Sequence, residues 1–212
     1  MDSRELKARE DVIWACRKLA AGGLIAASDG NVSCRLADGL YLITPSGRPK
    51  AEIDVHELIV VKDTGAVVSG SGRPSSEFRL HLLVYQKRPD VHAVVHAHPP
   101  LLTAMTLAHV PFPADVFPEV WLSVGPVPTA PYATPSTDEV PRSVEPYVSG
   151  HNAVLLTRHG SLTMGCDVRQ AYYRLEKMEH AAKSLLAARV LGGRLPDPLS
   201  SEELDRLRRA FS

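Results

Sequence analysis

Leu6, Val12, Ile13, Cys16, Leu19 and Ala20 recur at the spacing of one helix face, and Gly22-Gly23 follows as a stop signal. One amphipathic helix is therefore predicted over about residues 3–21. The period then shortens. Residues 32–36, 40–43, 58–61 and 66–68 are short β-rich runs separated by Asp38-Gly39, Ser46-Gly47 and Thr64-Gly65, the signature of antiparallel strands joined by turns. Pro74-Ser75-Ser76-Glu77 reads as a helix start with a hydroxyl cap, and Phe78, Leu82 and Tyr85 line a helix ending near Arg88-Pro89. Residues 91–97 return to strand, and Pro99-Pro100 opens another short helix. The stretch from about 110 to 150 is proline-rich and poorly periodic, which predicts loops around one or two strands, and between 110 and 135 it carries Phe112, Val116, Phe117 and Trp121 with little local structure to bury them, so a homo-oligomer is expected. Residues 153–157 and 161–164 flank Arg158-His159-Gly160 and suit two strands joined by a tight turn, with His159 at its tip. Asp167 begins a long helix carrying Ala171, Leu175, Met178, Ala182 and Leu185 as far as Gly192-Gly193, and Ser200 begins a final short one. Strands in the middle with helices at both ends describe an α/β domain with a mainly antiparallel sheet covered by helices.

With 212 residues and 44% hydrophobic composition, the chain can bury a large core, and without repeat or linker it reads as a single domain over 1–212. Lysine plus arginine and aspartate plus glutamate both total 24, so no field of one sign draws in nucleic acid or an anionic membrane, and an anionic ligand must be bound locally. Cys16, Cys34 and Cys166 form no disulfide framework and read as reduced, buried thiols. No apolar run approaches the roughly 20 residues of a membrane span, so a cytoplasmic protein is expected.

The chemistry centres on His96 and His98. Strand side chains repeat every two residues, so both imidazoles point to one face, as two ligands of one metal would. A catalytic zinc takes three protein ligands and leaves a position open. His159, at its turn, is the leading third ligand, with His92 and His151 less favourably placed, while His56, His109 and His180 belong to no such constellation. Taken alone, the pair is no more than two histidines near a strand end. Glu77 is the natural acid–base partner beside a cation, although a first-turn glutamate also complements a helix dipole. Three turns, around Gly30-Asn31-x-Ser33, Thr44-Pro45-Ser46-Gly47 and Pro74-Ser75-Ser76, carry hydroxyls, amides and glycines whose backbone N–H groups can cradle a phosphate. Each alone is also an ordinary turn or cap.

In this order, Ser28-x-Gly30-Asn31-x-Ser33, Thr44 to Gly47, Pro74 to Glu77, His96-x-His98, Ala130 to Thr134 and His159-Gly160 resemble the class II aldolase/adducin family across nearly the whole chain, most closely its L-fuculose-1-phosphate aldolase branch. The resemblance implies a three-layer α/β/α fold with a mainly antiparallel central sheet, assembled as a homo-oligomer, a tetramer, with sites at subunit interfaces. It implies one Zn²⁺ per subunit held by His96, His98 and His159, with Glu77 as the catalytic acid–base that itself approaches the metal when substrate is absent. It implies a phosphate grip by Gly30, Asn31, Ser46, Gly47, Ser75 and Ser76, and cleavage of a ketose 1-phosphate to dihydroxyacetone phosphate and a small aldehyde. The aldehyde half departs from the pattern. Phe117 stands where that branch has an interface tyrosine, and the sequence ends at Phe211-Ser212 without its tyrosine-bearing tail. Tyr132 or Glu119 are the candidates to substitute. Within the family, the same residues also suit a methylthioribulose-1-phosphate dehydratase or a decarboxylase of a phosphorylated sugar acid, and less well an epimerase, whose branch carries aspartate at the position of Glu77. A non-catalytic domain like the adducin head is the alternative of another class.

Overall fold

In the computed structural model, residues 2–37 and 39–211 are described. Helix α1 (Ser3–Ala21) starts at Asp2, whose carboxylate accepts the Glu5 N–H at 2.7 Å, and buries Val12, Ile13, Cys16 and Leu19. Strands β1 (Asn31–Ala37), β2 (Leu40–Ile43), β3 (Ile59–Lys62) and β4 (Val67–Ser69) follow, then helix α2 (Phe78–Lys87) and strand β5 (Ala93–Ala97). Next come α3 (Pro100–Leu107), α4 (Pro118–Ser123), β6 (Thr129–Ala130) and α5 (Glu139–Val148). Strands β7 (Ala153–Leu156) and β8 (Gly160–Gly165) precede α6 (Val168–Gly192) and α7 (Ser201–Phe211).

The eight strands form one sheet in the order β4-β3-β2-β1-β5-β8-β7-β6. Every pairing is antiparallel except β6 with β7, so the sheet is mixed but mostly antiparallel. Strand alternation splits the core. Val32, Cys34, Ala93, Val95 and Leu155 face α1, α3, α4 and α6, whereas Val94, Val154, Leu162 and Met164 face α2 and α5. The result is a sheet between two helical layers, as expected, and Asn31, Ser33 and His96 share the parity of the α2 face.

Three local expectations are corrected. The segment 110–150 is more helical than its prolines suggest. In α5, Pro141 stands in the first turn, where its missing N–H has no helical partner to lose, and Val140, Val144 and Val148 form a buried stripe that outweighs Pro146 inside the helix. The cap of α2 is Glu77 and no side chain caps the helix; Ser75 Oγ instead accepts the Glu77 N–H at 3.3 Å. Finally, Phe112, Val116 and Phe117, which the sequence left without cover, pack into the core on the α1/α6 side, and Arg208 of α7 lies over the Trp121 ring at 5.5 Å. Burial of these residues therefore calls for no second subunit. Among the described residues, no helix is long and apolar enough to cross a membrane.

Candidate metal centre and active site

His96 sits at the fully buried end of β5, paired with Asn31 of β1 on one side and Leu162 of β8 on the other. Its Nδ1 donates to the Ser161 carbonyl at 3.0 Å, which assigns a proton to Nδ1 and turns Nε2 toward the cluster. His98 lies just beyond the strand, where its N–H donates to the Leu24 carbonyl at 2.9 Å and its Nδ1 faces Asp29 Oδ2 at 3.5 Å. Its Nε2 stands 3.0 Å from His96 Nε2. His159 closes the group from the β7–β8 turn, with ring centroids 4.7 Å from His96 and 4.9 Å from His98. One ligand nitrogen of each histidine lies within 4.8 Å of the others.

The donor set fits a divalent cation. With Nδ1 of His96 committed to Ser161 and Nδ1 of His98 facing Asp29, the two Nε2 atoms face each other, and such a contact calls for a positive charge between them, a proton on His96 or a metal ion in its place. Burial, and then the neighbouring His96, push His98 and His159 down to about 4, so both imidazoles are neutral at physiological pH, the form in which a ring nitrogen can bind a metal.

Glu77 completes the cluster, with Oε2 at 3.2 Å from His96 Nε2 and Oε1 at 3.5 Å from His159 Nε2. Asn31 Nδ2 donates to its Oε2 at 2.9 Å. Burial raises the carboxyl, but the charge and hydrogen bond of His96, the Asn31 amide and His159 outweigh it and hold Glu77 well below the usual carboxylate range. The same pairing, against burial, raises His96. The arrangement thus keeps an anionic, oriented carboxylate beside three imidazoles.

The turns singled out from sequence converge less tightly. Pro45 bridges Pro74, Ser46 N–H donates to the Arg73 carbonyl at 2.8 Å and Ser75 N–H to that of Thr44 at 3.2 Å, so the Ser46-Gly47 and Ser75-Ser76 turns are joined. Gly30 adopts φ 71° where a Cβ would meet the His96 carbonyl oxygen at 2.9 Å, which ties its turn to the histidine strand. Ser76 Oγ is spent on Ser136 Oγ at 2.8 Å. Tyr132 is 60% exposed on the segment that runs from β6 to Ser136. Phe117 and Glu119 instead line a cleft of about 680 Å³ with Tyr172 and Lys177, and none of the three clustered histidines lines it. Neither His92, His151, His56, His109 nor His180 joins the group.

Two contributors carried no sequence signal. Lys50 is 2% exposed, and its ammonium donates to the Ser28 carbonyl at 2.7 Å and the Arg48 carbonyl at 2.8 Å, cross-linking the turns on either side of the proposed phosphate grip. Asp29 orients His98. A lysine in a loop and an aspartate in a turn look like surface residues until the chain folds.

A profile of the class II aldolase and adducin N-terminal domain matches residues 10–186. The chain belongs to this family. A 3-oxo-tetronate 4-phosphate decarboxylase of Pectobacterium atrosepticum is 31% identical over 209 residues, covering 97% of this chain and 94% of that one. An L-fuculose phosphate aldolase of Escherichia coli is 32% identical over 198 residues, covering 93% and 91%. The crystal structure of YgbL from Klebsiella pneumoniae superposes with a TM-score of 0.88 at 32% identity, covering 96% of this chain and 99% of that one. This class II aldolase-family member thus shares fold and length with enzymes of at least two named activities.

Proposed function

We propose that the protein is a zinc-dependent lyase that reversibly cleaves a ketose 1-phosphate, L-fuculose 1-phosphate or a similar deoxy-sugar phosphate, to dihydroxyacetone phosphate and a small aldehyde. The supporting observation is the ionised Glu77 carboxylate set against three convergent imidazoles. His96, His98 and His159 would hold one zinc per subunit, with Glu77 within reach of it. The bound ion supplies Lewis-acid polarisation of a carbonyl. Glu77, oriented by Asn31, takes a proton from the carbon beside that carbonyl in condensation and returns it after cleavage. The phosphate is gripped by backbone N–H groups and hydroxyls of Gly30, Asn31, Ser46, Gly47, Ser75 and Ser76. On the aldehyde side Tyr132 is the candidate proton donor, with small apolar aldehydes such as lactaldehyde or acetaldehyde as the expected partners. Residues 1–212 act as one domain, and the working form is a homotetramer with no nucleic-acid or membrane partner.

The 31% identity to a 3-oxo-tetronate 4-phosphate decarboxylase supports a second reading. Decarboxylation beside a ketone also breaks a carbon–carbon bond and leaves a carbanion equivalent that a group placed like Glu77 must protonate, so one site suits either substrate. Zinc-loaded protein incubated with dihydroxyacetone phosphate and a panel of aldehydes, and separately with a phosphorylated 3-oxo acid, tests both by mass spectrometry and CO₂ release. Condensation products support the aldolase. CO₂ release without condensation replaces it with the decarboxylase, and loss of water from a methylthio-pentulose phosphate with the dehydratase. Absence of any bound divalent metal favours a non-catalytic interaction domain, and light scattering at low concentration reads the tetramer.

A further inference from the structure

Helix α3 (Pro100–Leu107) joins the two halves of the histidine cluster, beginning two residues after His98 and ending against the residue that precedes His159. Its N-terminus has no cap of its own. The N-cap residue is Pro99, Pro100 has no N–H, and the next two amides, of Leu101 and Leu102, donate to Glu179 Oε1 at 3.1 Å and Oε2 at 3.0 Å. Glu179 reaches there from α6 and is 2% exposed. A buried carboxylate across two first-turn amides suits the positive end of a helix and fixes where α3 starts relative to His98.

At the other end, Thr106 is 4% exposed and its hydroxyl both donates, to the Thr103 carbonyl at 2.8 Å, and accepts, from the Arg158 N–H at 3.0 Å. Arg158 has φ 61°, a left-handed conformation that a residue with a Cβ rarely adopts. The His159 N–H bond to the Leu156 carbonyl at 3.0 Å and the Thr157 hydroxyl bond to the Ala130 carbonyl at 2.7 Å tie the neighbouring residues, and the hydroxyl on α3 is the anchor that takes the Arg158 amide itself, at the strained residue of the turn that presents His159.

We propose that α3 is a strut that sets the separation of His98 and His159, with Thr106 and Glu179 as positioning residues for the metal centre. The inference rests on the reading of the three histidines as a metal centre. Thr106 never touches the ligands. Its role is to keep the Arg158 turn in the one conformation in which all three imidazoles converge, because the affinity of a three-ligand site falls in proportion to the population of the competent turn. If removal of the hydroxyl leaves about one molecule in ten with the turn correctly formed, metal affinity falls about tenfold, within the range that outer-shell partners of metal ligands command.

The test uses Co²⁺ titration of the full chain, followed by visible absorption, together with hydrogen exchange at the 158–159 amides in metal-free protein. Thr106→Val keeps the shape and removes the hydroxyl, so Co²⁺ should bind about tenfold more weakly and those amides should exchange faster. Thr106→Ser should behave as wild type. Glycine adopts φ near 60° without strain, so Arg158→Gly should be silent alone and should restore Co²⁺ affinity to Thr106→Val. Glu179→Gln, which turns an NH₂ toward one of the two α3 amides, should weaken Co²⁺ binding in a way that Arg158→Gly does not restore. Should Thr106→Val alone fail to fold, the double variant carries the test, supporting the strut with wild-type affinity and contradicting it with a tenfold loss. Wild-type affinity and exchange in Thr106→Val would overturn the inference while leaving the metal centre intact. A wild-type chain that takes up no Co²⁺ would overturn the metal-centre reading and the inference with it.

Discussion

Gly160, immediately after His159, offers a sharp test of how closely the histidine strands are packed. It opens β8 opposite Leu156. A Cβ built there would overlap the Ala97 carbonyl oxygen and stand 2.9 Å from His98 Cδ2 and 3.1 Å from the Ala97 carbonyl carbon. Two of those three atoms are backbone of a central strand and cannot rotate aside. Overpacking a core costs roughly 1–3 kcal/mol when side chains can yield. A collision with strand backbone belongs at the upper end, about 3 kcal/mol. For a chain of this size each kcal/mol lowers Tm by about 2–4 °C, so Gly160→Ala should lower it by about 6–12 °C. Gly150→Ala is the control, because nothing lies within 4 Å of its added Cβ and its φ is not in the left-handed region; its Tm should stay within about 2 °C of wild type. Calorimetry in the presence of chelator reads the packing term without any contribution from bound metal. The substitution also pushes on His98, so metal affinity should fall even under conditions where the variant is fully folded. A Gly160→Ala protein melting within about 2 °C of wild type and binding Co²⁺ equally well would refute this account of the β5–β8 contact.

Glu77→Gln should leave the chain folded yet reduce turnover by about 10²-fold or more, the scale of a lost acid–base group, whereas Tyr132→Phe should affect only the aldehyde-dependent step; steady-state rates with several aldehydes separate the two. Arg9 is 5% exposed, pairs with Glu5 at 2.7 Å and donates to the carbonyls of Val55 and Leu58 at 2.8 and 2.9 Å. Arg9→Met should therefore cost on the order of 3 kcal/mol in urea unfolding, and a loss under about 1 kcal/mol would mean water replaces the guanidinium. Burial pushes the thiols of Cys16 and Cys34 up to about 12, while Cys166, contrary to the expectation of three buried thiols, is exposed just ahead of α6, so a thiol reagent at pH 8 should count one cysteine in the folded protein and three in guanidinium. Because these folded-state values lie above the ordinary value of 9.0, the native state holds its thiol protons longer than the unfolded chain. The stability they contribute is complete below about pH 9 and is lost as pH rises toward 12; unfolding midpoints that stay flat across that window would contradict it.

Much of this protein was legible in its sequence, because the elements that carry it announce themselves locally. The stripe from Leu6 to Ala20, the alternation of β1 to β3 and the long face from Ala171 to Leu185 each follow from helix or strand periodicity, and the observed bounds differ by a residue or two. His96 and His98 share a face for the same reason, and the Arg158-His159-Gly160 turn lies between two short apolar runs. Other features had no local signature. The prolines of α5 pointed to loop, and only the burial of Val140, Val144 and Val148 against the sheet made the helix worthwhile. Phe112 and Phe117 looked uncovered because the helices that cover them are remote in sequence. The convergence of His159 on a strand more than 60 residues earlier, the Asn31 amide on Glu77, the Lys50 cross-link and the hold of Glu179 and Thr106 on α3 all join distant segments. Periodicity records only which face of an element is buried. Which polar atoms meet across elements is decided when the sheet order brings β1, β5 and β8 side by side, and buried polar groups then have no stable alternative to pairing with one another.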